Sequence, residues 1–515
     1  MSVEDIHTLI IGAGPSGIAA AHKLTEAGVS PLIVEKSHTA GGLMRSLTRG
    51  EFTMDMGRKE LYTRIPEVDQ LWHGILGEDY RKYPHRVGSL YRGRILEMSD
   101  RYRGFRRGLP WPWLISGGVD LLLCWVCSGL SRPSNYEEYW HRRAGRRFAR
   151  LFAQGYWEKF RGREWADMPL PEPEVDGSYI GSYSFNAIKQ GLMLAAQGGL
   201  ARQPEWRHPA KGTGQICDLM LDEVLRAGAR IEFDTEVTAL TAEHGRIIEV
   251  LAKKADGRVT YRSRHVISSM QIEDLALVLF DTSSEMAKPT WRNVTEAERS
   301  VALVYLFLNE PPRFPHAWLE VNDTRMKAGR ITNYAAFNGE MVPSGKSCLC
   351  VEFFCVGDDP TLSLSPQELE ALAIAECVEN GLIDSTRLFD TLVATMRRSN
   401  AAASWRDWQS AGKLQLLKGI GRFENLYYVN RPGTDWATFA GMLAAEAILD
   451  GCRTAFDRRA DPTRRYSGVQ ETTVGAAGPA PAASAPPASV AALTDPQTEG
   501  YAKLSLGRSA LDELG

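Results

Sequence analysis

The chain has little net charge. Its 60 basic and 63 acidic residues leave a formal −3 over 515 positions, so no global field favours nucleic acid or an acidic surface. Histidine is scarce too: the ten present show no H-E-x-x-H pattern and no Ser-His-Asp order, which leaves zinc chemistry and triad hydrolysis unsupported. Eight cysteines are too few for a disulfide scaffold in a chain of this length. With no signal peptide before Ile10, they fit a reducing, cytoplasmic setting. Cys124 and Cys127 form a lone C-x-x-C inside an apolar run, and Cys348, Cys350 and Cys355 fall in the strand-like SCLCVEFFC; packing is expected of all five. No repeat of solenoid period is evident. Long apolar runs are nearly absent as well. The exception, WPWLISGGVDLLLCWVCSGL at 111–130, is interrupted by Asp120, a glycine pair and a proline. It reads as a buried or interfacial helix, and the basic flank RYRGFRRG at 101–108 leaves peripheral membrane contact through 111–130 open.

Against these absences stands one strong local pattern. Residues 8–11 are an apolar run, 15–27 are Ala-rich with helical spacing, Gly28 is a stop signal, and 31–34 are apolar again. This order predicts a strand, a turn, a helix and a second strand. The turn holds Gly12, Gly14 and Gly17 in the spacing G-x-G-x-x-G. In such a unit the first glycine permits the tight turn, the second lets backbone approach a pyrophosphate, and the third lets the helix pack on the sheet. The helix N-terminus then offers free N–H groups and a positive dipole end to phosphate. Glu35 ends the second strand, where it can accept from both ribose hydroxyls and would repel a 2′-phosphate. The segment therefore predicts a dinucleotide site that disfavours NADP.

Further along, 136–167 is aromatic- and arginine-rich with helical spacing, and MPLPEPEV at 168–175 is a connector. KGTGQ at 211–215 is a glycine turn leading to an amphipathic helix that stops at Gly228 and then a strand containing Val237. A hairpin is expected at 247–253 and 259–261, with strands at 265–270, 301–308, 347–355 and 425–430 and helices at 366–380 and after Gly433. From 459 the composition turns to Ala, Pro, Ser and Gly, which cannot bury enough apolar surface to offset ordering entropy; a disordered tail is expected.

Taken together, the opening fingerprint, the TAGG turn at Gly41-Gly42, the KGTGQ turn, the DTEVTAL strand and the GTDWATFAGMLAAEAI loop-helix resemble the flavoprotein superfamily of amine oxidases, protoporphyrinogen oxidase-like proteins, carotenoid desaturases and UDP-galactopyranose mutases, over residues 6–455. The resemblance implies an α/β fold in which a Rossmann-type FAD-binding domain (1–60, 206–275 and 416–458) is interleaved with an α+β substrate-binding domain (61–205, with a helical insert, and 276–415), followed by the tail at 459–515. It implies FAD, with Gly12, Gly14, Pro15, Ser16 and Gly17 at the pyrophosphate, and Glu35 and Lys36 beside the adenosine ribose. Gly41, Gly42 and Leu43 would give a second phosphate-side approach, and Val237 a main-chain contact to adenine. Gly433, Trp436 and Met442 would belong to a helix whose start faces the flavin pyrimidine edge. The segment FTMDMGRKELYT occupies the position of the family's G-P-H-x-F-x-T: Gly57, Tyr62 and Thr63 fit, whereas Pro-His has become Arg58-Lys59.

No catalytic residue is assigned from this pattern. Arg58, Lys59, Tyr62, Trp318 and Arg330 are the candidates to line a pocket. The expected activity is FAD-dependent hydride removal from a small molecule, by C–N oxidation or C–C desaturation. The alternatives are a mutase-type isomerase of a nucleotide sugar, put in doubt by the missing histidine, and a non-catalytic flavoprotein acting as a binding partner. Metal and nucleic acid are not expected.

Overall fold

The computed structural model describes residues 2–59, 61, 63, 65–98, 109–128, 133–168, 205–279, 299–400, 413–431 and 433–461. Tyr62, the connector beyond 168 and the tail from 462 lie outside the described residues.

Two seven-stranded sheets organise the chain. The first is built on β1 (Ser2–Ile11), which pairs in parallel with β2 (Leu32–Val34) on one side and with the long β12 (Gly257–Ser268) on the other. β9 (Arg230–Glu232) extends it beyond β2, and β18 (Leu426–Tyr428) runs parallel to the end of β12. β10 (Glu236–Glu243) and β11 (Arg246–Lys254) complete it as an antiparallel meander onto the start of β12. The expected strands at 259–261 and 265–270 are thus one element; β12 is long enough to pair with the meander first and with the parallel sheet afterwards. Two helices cross on this sheet, α1 (Pro15–Glu26) and α8 (Thr434–Leu449). They approach so closely that a Cβ on Gly441 would lie 2.0 Å from the Ser16 carbonyl oxygen. α6 (Gly214–Arg226) packs its apolar face, including Ile216, Met220 and Val224, into the same core.

The second sheet has the order β17-β13-β16-β15-β14-β6-β7. It comprises β6 (Val87–Tyr91), β7 (Arg94–Glu97), β13 (Arg299–Leu308), β14 (Trp318–Val321), β15 (Arg330–Asn333), β16 (Ser347–Val356) and β17 (Leu388–Asn400). Alternate residues share a face. Ala302, Val304, Leu306, Leu319, Ile331 and Val351 point to one side, where α7 (Pro366–Glu379) covers them with Leu369, Ala373 and Cys377. The other face carries Leu303, Tyr305, Trp318 and Cys350 and packs against a helical insert.

That insert consists of α3 (Trp111–Ser128), α4 (Tyr136–Ala149), a π-helical turn over 150–154 and α5 (Gly155–Arg161). Gly117 and Gly145 mark where α3 and α4 cross: a Cβ on Gly117 would fall 2.3 Å from the Phe148 ring, and one on Gly145, at φ +76°, would fall 3.0 Å from the Leu121 backbone. Asp120 lies at this crossing and accepts the Arg147 N–H at 2.9 Å. The residue that interrupted the apolar run in sequence is therefore turned onto the neighbouring helix. All eight cysteines are free; Cys124 and the three strand cysteines are buried as expected, whereas Cys127 is exposed because α3 buries only one side.

Candidate functional site

The glycine loop has the geometry that its spacing predicts. Gly12 adopts φ +99° and donates to the Val34 carbonyl at 2.8 Å, which ties the turn to the end of β2. A Cβ on Gly17 would sit 2.0 Å from the Gly12 carbonyl oxygen, so that glycine is needed for helix-on-turn packing. Gly14 differs: a Cβ there would meet no protein atom within 4 Å. The backbone at Gly14 faces open space, as a ligand approach requires. Gly14 also caps α1 with no side-chain hydrogen bond, leaving the helix N-terminus free to bind an anion.

Glu35 is buried, and both its oxygens hold backbone: Oε2 accepts Ala13 N–H at 2.7 Å and Oε1 accepts Ser37 N–H at 2.9 Å. The carboxylate thus shapes the loop as well as being placed beside it, while Lys36 is exposed. The chain from Glu232 to Thr235 runs alongside through hydrogen bonds to Glu35 and Ser37, and leads to Val237. Val237 is buried, and the β10–β11 ladder shifts register between it and Ala239.

A second glycine turn is seated against the first. Gly41 N–H donates to the Ala13 carbonyl at 2.8 Å, and a Cβ on Gly42 would be 3.4 Å from Gly14 Cα. The short helical turn Gly42–Met44 carries Leu43 toward the core shared with the second sheet and presents the Met44 sulfur to Thr434 Oγ1 at 3.1 Å. Thr434 opens α8, whose N-cap Gly433 has φ +85° and no side-chain cap. Two uncapped helix N-termini, from opposite ends of the chain, are therefore linked through the Gly41–Met44 loop. Pro15 and Ser16 lie in the first turn of α1; Trp436 is partly buried in the first turn of α8, and Met442 is packed into the core two turns on. KGTGQ closes the arrangement from below: Thr213 N–H donates to Asp55 at 2.8 Å, and its hydroxyl donates to the Met44 carbonyl at 3.1 Å.

The pocket candidates sit where strand β4 (Phe52–Asp55) runs out onto the insert-facing side of the second sheet. Tyr305 and Tyr334 hydroxyls donate to the Asp55 carbonyl at 2.6 and 2.9 Å, fixing the loop to the sheet. Gly57 has φ +72°, and a Cβ on it would be 3.0 Å from a Glu352 oxygen. The loop then delivers Arg58, whose N–H donates to Glu352 at 3.0 Å and whose guanidinium lies over the Trp318 ring, 4.0 Å from its centroid. Arg58 and Trp318 are both buried, so Arg58 is not a surface cation.

Across adjacent strands Glu320, Arg330 and Glu352 form one directly opposed row. Arg330 grips Glu352 with two bonds of 2.9 and 2.7 Å, which commits its guanidinium to that carboxylate. Burial pushes Glu352 up, but Arg330 together with N–H and hydroxyl donors holds it below the usual carboxylate value. Glu320 lacks such partners, and burial raises its carboxyl to about 7 against the pull of Arg58 and Arg330. Lys59, next to Arg58, is lowered to about 8 by burial, with Glu352 opposing. Arg299, over the Phe160 ring at 3.6 Å, is lowered to about 9 by burial. Below the loop Asp55 and His208, both fully buried, meet at 2.8 Å, and Asn338 Nδ2 lies 3.1 Å from the far His208 nitrogen.

Glu320 and Glu352 were not among the residues singled out in sequence. Each is the lone charge in an apolar strand, AWLEV and CVEFFC, and that interruption was the available signal.

A family model for flavin-containing amine oxidoreductases matches residues 15–377, which takes in α1, the Gly41-Gly42 turn and most strands of both sheets. The chain belongs to the flavin-containing amine oxidoreductase family. Within this family's fold, solved structures align along nearly the whole chain. A reduced UDP-galactopyranose mutase aligns with TM-score 0.71 at 18% identity, covering 90% of this chain and 99% of its own. A putative protoporphyrinogen oxidase from Exiguobacterium sp. 255-15 aligns with TM-score 0.64 at 15% identity, covering 87% and 100%. These likenesses concern the fold. Among curated relatives, an all-trans-zeta-carotene desaturase of Myxococcus xanthus is 32% identical over 98 residues, 18% of this chain and 17% of its own length. A 4,4′-diapophytoene desaturase of Staphylococcus aureus (strain MRSA252) is 35% identical over 74 residues, 14% of each. The chain thus spans about a sixth of the length of these relatives. Membership in the family implies a flavin, and the open face at Gly14 with the two uncapped helix starts fits a dinucleotide form of it.

Proposed function

We propose that the protein is an FAD-dependent oxidoreductase that removes a hydride from a carbon of a small molecule. The observation that carries this reading is the convergence of two uncapped helix N-termini, at Gly14 and Gly433, on the paired glycine turns. The start of α1 and Gly41-Gly42 would hold the pyrophosphate, Glu35 the adenosine ribose, and the start of α8 the pyrimidine edge, where negative charge develops on reduction. FAD, when bound, supplies the two-electron acceptor for the hydride.

The remaining chemistry falls to the chain. Loss of hydride from carbon must be matched by loss of a proton from the neighbouring nitrogen, giving an imine, or from the neighbouring carbon, giving an alkene. Lys59 is suited to accept it: a lysine titrating at about 8 is partly neutral near physiological pH and can act as a general base. Arg58, stacked on Trp318 and bonded to Glu352, fixes the approach of that loop, and Arg330 acts through Glu352 as a positioning residue.

A second reading, isomerisation of a nucleotide sugar, is supported by the extent of the mutase-like fold. It is weakened by Arg58-Lys59 standing where that branch carries Pro-His. Anaerobic mixing of the FAD-loaded protein with candidate amines and polyenes separates the readings. Bleaching of the flavin by one of these classes supports the oxidoreductase. Turnover of a nucleotide sugar only after chemical reduction, with no net oxidation, would replace it with the mutase.

A further inference from the structure

The nucleotide site and the pocket loop leave one large feature of the molecule unused. Trp111, Ile115, Val119, Leu122, Leu123 and Val126 of α3 are each more than half exposed to solvent. At 100° per residue they fall within an arc of about 120° along the whole helix, one continuous apolar face. The opposite side, with Gly117, Asp120, Leu121 and Cys124, is the side closed against α4. No helix among the described residues is long and apolar enough to cross a membrane, so α3 has the exposed face of an interfacial helix without the length of a span.

Charge indicates what covers this face. Residues 101–150 hold ten arginines against Asp120, Glu137 and Glu138, a formal +7 inside a chain of −3. Four of those arginines directly precede α3, and Arg146, Arg147 and Arg150 are exposed on and just beyond the helix it packs against. An apolar helix face opened by the exposed Trp111 and flanked by arginine matches an acyl boundary beneath anionic headgroups.

We propose that α3 lies in the surface of an anionic lipid bilayer and docks the protein there. Leu114 of α3 joins Phe148, Leu151 and the β7 residue Leu96 in one apolar cluster, so the bilayer would adjoin the edge of the second sheet and not the nucleotide-binding sheet. This inference is independent of which reaction the flavin site performs.

The test is co-sedimentation of the full-length, FAD-loaded protein with phosphatidylcholine vesicles, with and without about one third phosphatidylglycerol. The expected result is pelleting with the anionic vesicles, weakened by high salt and by at least about tenfold in the double variant Ile115→Asp, Val126→Asp, whose exposed positions leave the fold and the flavin spectrum unchanged. Recovery of the wild type in the supernatant with both vesicle types would overturn the proposal. So would binding that the double variant retains in full. Sedimentation velocity supplies the rival: a dimer that the same variant dissociates would give this face to a second copy of the chain and also overturn it.

Discussion

At Glu35 one carboxylate serves two structures. It satisfies the N–H groups of Ala13 and Ser37, and it stands where the family resemblance puts the adenosine ribose. Glu35→Ala should therefore leave the overall fold intact, as judged by circular dichroism, yet weaken FAD binding by about 10- to 100-fold through loss of charge-assisted hydrogen bonds. An unchanged affinity in a fluorescence titration would remove Glu35 from the site. Lys59 carries a kinetic prediction. The rate of flavin reduction should rise with pH through about 8 as the ammonium loses its proton, and Lys59→Met should lower the rate and abolish that rise. A profile preserved in the variant would assign the proton to another group. Glu320 carries a stability prediction, and its sign follows from burial. Its carboxyl titrates at about 7 folded against an ordinary 4.5, so the unfolded chain releases the proton first as pH increases. Stability is lost between about pH 4.5 and 7, and Glu320→Gln should be more stable than wild type above pH 7 by on the order of 3 kcal/mol, with the gap closing below pH 4.5. Urea denaturation at the two ends of that range measures it; a gap independent of pH would contradict the account.

Among the elements, the crossing of α1 and α8 is the least tolerant. Gly441 lies against the Ser16 carbonyl with no room for a Cβ, and any side chain there must push the two uncapped helix starts apart. Gly441→Val should cost about 2–4 kcal/mol and lower FAD affinity together with stability, measurable by thermal melts with and without FAD. The glycine turns and the helices after them were legible in sequence because a glycine spacing, a Pro at the helix start and a stop signal all act within a dozen residues. The strands β6, β7, β14, β15 and β17 were not singled out. β14 and β15 span four residues each, too short for a periodic signal, and they exist because neighbours on both sides complete them. The row Glu320, Arg330, Glu352 is set by register between strands, which no local pattern specifies. Arg58 illustrates the same limit: the sequence offers it as a pocket candidate, but its partners, the Trp318 ring and the Glu352 carboxylate, stand some 260 and 294 positions away and no local pattern names them.

For the molecule as a whole, the fold joins segments from both ends of the chain into one site. β1 and β18 flank β12, the starts of α1 and α8 meet through the Gly41–Met44 loop, and the end of β4 is tied to the second sheet at Asp55. A site assembled in this way should bind FAD in the whole chain. The measurement is the visible absorption spectrum of the purified full-length protein after incubation with FAD and removal of the excess, with the released cofactor identified by mass. The account predicts a stoichiometric oxidised-flavin spectrum and release of FAD. A colourless protein that takes up no FAD, or one that releases a nicotinamide dinucleotide in its place, would contradict it.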